Sequence, residues 1–75
     1  MTALSASRIL PDAIVRLRTY PDNYVWEVTS CPYCGRRHSH GGGTRTEDPR
    51  DFLGLRVAHC AKHPDTRYQL VEVTL

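Results

Sequence analysis

Cys31-Pro32-Tyr33-Cys34-Gly35 is the stretch that decides how the rest of this chain is read. Two residues between the cysteines let both sulfurs turn toward one point, where backbone N–H groups of the turn can stabilise thiolates. Gly35 lets the chain leave that turn with positive φ. A redox dithiol with the same spacing belongs in a βαβ context and opens a helix. Here the run Tyr24-Val25-Trp26-Glu27-Val28-Thr29 leads in as a strand, so the spacing predicts a metal knuckle. A tetrahedral zinc site needs four ligands. Cys60, the only other thiol, is the expected third. His63 is the preferred fourth, because it completes Cys-x2-His and Pro64 supports a tight bend. His38 is the rival and His40 ranks behind it. On an extended chain, at roughly 3.3 Å per residue, His38 lies near the limit of reach from Cys34 and His40 beyond it. His59 neighbours Cys60, so in a strand it points to the opposite face, where a half-buried, hydrogen-bonded histidine is expected.

Upstream, Ala13 to Tyr20 alternates, with Val15 and Leu17 on one face and Arg16 and Arg18 on the other. That is the pattern of a half-buried strand. Pro21-Asp22-Asn23 is turn chemistry, so the next run returns as a hairpin with Tyr24, Trp26 and Val28 on one face. Downstream, Gly41-Gly42-Gly43 reads as a break and residues 44–54 as a mobile excursion, with one helical turn after Asp48-Pro49. Leu55 to Cys60 and Tyr68 to Leu75 read as two further strands. The expected fold is therefore small and mostly β: zinc-ribbon-like antiparallel hairpins stapled by one structural zinc. Residues 1–12 form a loose lead-in and residues 13–75 one domain.

A chain of 75 residues buries too little surface for a secure core, and scaffolds of this size commonly add disulfides, a metal or a partner. Three cysteines would leave one unpaired in a disulfide framework. The start, MTALSASRIL, has no apolar h-region, and no apolar run approaches a membrane span. A reducing cytoplasm, with thiolates committed to metal, is the expectation. The net charge of +2 is mild, yet 9 of the 10 basic residues are arginine. GC-rich coding accounts for that skew, as does a surface for bidentate contacts with phosphate or carboxylate. Residues 35–46 contain no acidic side chain, so Arg36, Arg37 and Arg45 are the candidate phosphate contacts.

The string CPYCGRRHSHGGG followed by GLRVAHC resembles a group of small, mostly uncharacterised proteins of actinobacteria and their phages. Their pattern, C-P-x-C-G-x2-H-x-H-G and then R-x-A-H-C, falls on Cys31, Cys34, His38, His40, Arg56, His59 and Cys60. The resemblance implies a zinc-binding fold and says little about activity. It stresses His38 and His40 and leaves His63 outside.

Composition and motifs together predict a non-enzymatic zinc-binding module, with a partner in nucleic acid or the machinery acting on it. Trp26 and the tyrosines are candidate stacking groups. The alternative is an adaptor that docks on a host protein. Catalysis is not expected: no Glu adjoins a ligand as zinc hydrolases require, three thiolates activate a bound water poorly, and no nucleotide-binding loop is present. Neither a membrane nor a small-molecule substrate is expected.

Overall fold

Alternation builds the first hairpin. In the computed structural model, which describes residues 10–60 and 66–73, strand β1 (Asp12–Thr19) pairs antiparallel with β2 (Asn23–Val28). Val15 lies opposite Val28 and Leu17 opposite Trp26, so the apolar set of both strands falls on one face. The turn is closed by the Tyr20 amide donating to the Asn23 carbonyl at 2.9 Å. On the other face Glu27 accepts from Arg16 at 3.2 Å and Arg18 at 3.4 Å. The Arg16 hydrogen bond leads in holding the Glu27 carboxyl below its ordinary range; the charges of Arg18 and Arg37 add to it, while burial opposes.

The triple glycine does not break the chain. It lies inside β3 (His38–Thr44), which pairs antiparallel with β2 through an irregularity between Asn23 and Val25. Packing explains the correction. A Cβ on Gly43, whose φ is +89°, would come within 2.6 Å of the Phe52 ring, and one on Gly42 would meet Tyr24 Cβ at 3.0 Å. Glycine is what lets the bulged strand lie this close to both aromatics. The segment that follows is likewise ordered by contacts. A 3-10 turn at Pro49–Phe52 is capped by Asp48, whose carboxylate accepts from the Arg50 amide at 3.0 Å. The buried Trp26 Nε1 donates to the Pro49 carbonyl at 2.7 Å.

Strand β4 (Gly54–Val57) pairs antiparallel with β5 (Arg67–Glu72), and β5 pairs parallel with β1 from Asp12↔Gln69 to Val15↔Glu72. The result is one sheet in the order β3-β2-β1-β5-β4. β4 stops at Val57, short of the expected strand end at Cys60. The sheet curls around a core of Ala13, Val15, Trp26, Val28, Ala58, Tyr68 and Leu70, which also takes in Cys31 and Cys60. Curling brings the outer strands toward each other. Arg56 of β4 donates to the Phe52 carbonyl at 3.1 Å and, at 3.4 Å, to the Gly41 carbonyl of β3.

Candidate metal centre

Strand directions send five strand ends to one place. β2 and β4 finish there, and β1, β3 and β5 start there. The CPYCG turn sits at this end, and its backbone is wound as a knuckle. Gly35 N–H donates to the Cys31 carbonyl at 2.8 Å, and Cys31 N–H to the Arg36 carbonyl at 2.9 Å. Gly35 takes φ +76°, as expected from its place after the second cysteine.

Cys31 Sγ, Cys34 Sγ, Cys60 Sγ and His38 Nε2 all lie within 4.8 Å of one another, and together they can hold a metal ion. The closest pairs are Cys34–His38 at 3.3 Å, Cys31–Cys60 at 3.5 Å and Cys60–His38 at 3.5 Å. A tetrahedral ion with bonds of about 2.3 Å to sulfur and about 2.0 Å to nitrogen needs donor separations of roughly 3.5–3.8 Å. The three closest pairs lie within a few tenths of an ångström of those separations.

His38 reaches the cluster because residues 34–37 bend and β3 starts only at His38 itself. The extended-chain reading of this segment fails for that reason. His63, the preferred fourth ligand, lies outside the described residues. His40 is not in the cluster. It is buried two residues further along β3, with Nε2 2.7 Å from the Tyr68 hydroxyl and its ring edge-on to that tyrosine. His59 is exposed, not half-buried, and takes a φ of +58°.

The electrostatics of the three thiols differ. Burial opposes charging of Cys31, but N–H groups of Cys34 and Tyr33 and the Cys60 thiol outweigh it, and the net shift is downward. The Tyr33 amide lies 3.4 Å from that sulfur. Cys34 is lowered chiefly by the Arg36 amide, with His38 adding to it and burial opposing. Cys60 moves the other way. Burial, and then the neighbouring sulfurs of Cys31 and Cys34, push it up to about 12. Cys31 and Cys34 therefore ionise more readily than ordinary thiols, while Cys60 is held back first by burial and then by its two neighbours. A cation at the centre of the four donors removes that conflict, because it favours all three in the ionised form.

The arginines fare unevenly. Arg36 and Arg37 are exposed on the knuckle. Arg45 lies past the other end of β3. It donates to the Tyr20 carbonyl at 3.0 Å and sits 5.2 Å over the Tyr24 ring, so it belongs to the hairpin's own packing. Trp26 is fully buried and offers no stacking face. Sequence reasoning missed the residues that brace the cluster. The Tyr33 hydroxyl donates to the Arg67 carbonyl, and Tyr33 packs against Tyr68 with ring centroids 6.4 Å apart.

Comparison with protein-family models, with curated proteins and with solved structures found no match. Among the described residues, no helix is long and apolar enough to cross a membrane.

Proposed function

We propose that this chain is a non-enzymatic zinc-binding module of a reducing cytoplasm that contacts nucleic acid, or the machinery acting on it, through its arginines. The observation that carries the zinc reading is the four-donor cluster, three sulfurs and one imidazole. Soft thiolates with imidazole suit Zn²⁺ better than Mg²⁺ or Ca²⁺, which take oxygen ligands. His38 fills the fourth position that a catalytic zinc keeps open for water, and among the described residues no carboxylate joins the cluster. The ion is structural in this reading. Two hairpin-like pairs, β2/β3 and β4/β5, each send ligands to one ion, as in a zinc ribbon. The resemblance to small actinobacterial and phage proteins agrees, since its pattern includes all four donors.

The nucleic-acid contact is assigned to Arg36 and Arg37, with Arg45 withdrawn to the hairpin. A second reading, the protein adaptor, is favoured by Ile14 at 44% exposure and Leu55 at 52%, two large aliphatics on strands of the sheet.

Metal analysis of protein purified without added zinc, with circular dichroism before and after a chelator, tests the first part. One zinc per chain and loss of structure on chelation are expected, since structural zinc supplies on the order of 10 kcal/mol of folding free energy. An intact metal-free fold would refute it. A gel shift with nucleic acid at low salt tests the second part, and absence of any shift leaves the adaptor reading.

A further inference from the structure

The charged groups of this small sheet are sorted by end. At the turn and loop end lie Asp22, Glu47, Asp48 and Asp51, together with Glu72, which is paired with Arg50 at 3.0 Å. At the ligand-bearing end lie Arg36 and Arg37 on the knuckle and Arg67 at the start of β5. None of these three guanidinium groups has a hydrogen bond or ion pair among the described residues, whereas Arg16, Arg18, Arg45, Arg50 and Arg56 all do. The knuckle and Arg67 are fixed to each other, because the Tyr33 hydroxyl bonds the Arg67 carbonyl. Among the described residues the acidic groups of this end are Asp12 and Glu27, and Glu27 is already held by Arg16 and Arg18.

We infer that the ligand-bearing end contacts the phosphate backbone of double-stranded nucleic acid through Arg36, Arg37 and Arg67. This rests on the nucleic-acid reading above and narrows it. Binding of single strands relies on aromatic platforms on which bases stack. Here Trp26 is buried, Tyr33 packs on Tyr68, and the exposed Tyr20 is at the opposite end of the sheet. Among the described residues no tyrosine or tryptophan presents a free ring face at this end, and its unpaired exposed cations are the three guanidinium groups. A duplex presents one phosphate charge per about 1.7 Å, more densely than a single strand, and a contact dominated by guanidinium groups favours it. Such a contact reads no bases and is insensitive to sequence.

The test uses the full zinc-loaded chain, a short mixed-sequence duplex and each of its separated strands, at 50 and 200 mM salt. Three phosphate contacts give a slope of about −2.7 in log K against log salt, hence a loss of about 40-fold over this range. Arg36→Ala, Arg37→Ala and Arg67→Ala should each lower that loss to about 12-fold with zinc content unchanged. Arg45→Ala should leave it near 40-fold. Single strands that bind as tightly as the duplex would overturn the inference and leave the broader reading standing. So would an Arg67→Ala slope equal to wild type, or an Arg45→Ala slope as low as the others. Variants that lose zinc together with binding would also overturn it, since the arginines would then serve the charge of the metal centre. No binding of either form at 50 mM would remove both the inference and the nucleic-acid reading.

Discussion

Gly43→Ala is the sharpest probe of how β3 is held. At φ +89° an L-residue crowds its own backbone, at a cost of roughly 1–2 kcal/mol. The added Cβ would also lie 2.6 Å from Phe52 Cε1, 2.9 Å from its Cζ and 3.2 Å from Glu47 Cβ. Phe52 is packed against the core and cannot swing away freely, so overpacking adds roughly 1–3 kcal/mol. The sum, about 2–5 kcal/mol, corresponds to a melting temperature lower by roughly 10–30 °C in a domain of this size. Gly41 is the internal control. A Cβ there meets nothing within 4 Å and its φ is not positive, so Gly41→Ala should stay within about 0.5 kcal/mol of wild type. Thermal denaturation of the two zinc-loaded variants, with metal content measured alongside, decides the matter. If Gly43→Ala melts within a few degrees of Gly41→Ala, the glycines are not a packed, bulged strand and the account of β3 is wrong.

Two further outcomes are expected. His38→Ala should weaken zinc retention in a chelator competition more than His63→Ala does, because His38 Nε2 already lies 3.3 Å from Cys34 Sγ; the reverse order would return the fourth position to His63. His40 should stay neutral far into the acid range, since burial, with smaller contributions from Arg56, His59 and His38, lowers its pKa from 6.5 to about 4. The unfolded chain takes up that proton near pH 6.5 and the native one does not. Stability therefore falls between about pH 6.5 and 4, by about 3 kcal/mol from this group, and is flat below. An NMR titration of the His40 ring in the zinc-loaded protein checks it, and a midpoint near 6.5 would contradict the buried Tyr68 contact.

Local chemistry was legible in the sequence, and long-range pairing was not. Val15, Leu17, Trp26 and Val28 declare their face by period alone, and the CPYCG turn winds as its spacing requires. Cys60 sits where the thiol arithmetic put it. The parallel pairing of β1 with β5 joins residues more than fifty positions apart, and no periodicity encodes such a partner. The glycines of β3 misled for a physical reason. Glycine carries no side chain to announce a strand, and only Tyr24 and Phe52, brought in by the fold, explain why it is needed. His38 was undervalued because its reach depends on where β3 begins, and element boundaries are the part of a pattern that sequence specifies least.

The topology also shows what an ion held by the four donors would join at this end of the sheet. β1, β2 and β3 form one antiparallel unit and β4 and β5 another, and the four-residue parallel register between β1 and β5 joins them. Parallel pairs are slightly weaker per residue than antiparallel ones, and this one closes a long loop before it is rewarded. Cys31, Cys34 and His38 belong to the first unit, while Cys60 follows the last strand residue of β4 by three positions. A bound ion therefore spans the seam between the units. Across the same seam run the His40–Tyr68 hydrogen bond, the reach of Arg56 toward Gly41 and the Tyr33–Arg67 contact. The His40–Tyr68 contact is buried, and a buried polar contact holds only when both partners are in place, so an ion on the ligands at the strand ends would help keep β3 and β5 close enough to make it. On this argument metal loss does not merely loosen a knuckle. It separates the two units, exposes Tyr68 and His40 to water, and removes the fixed spacing between Arg67 and the knuckle arginines.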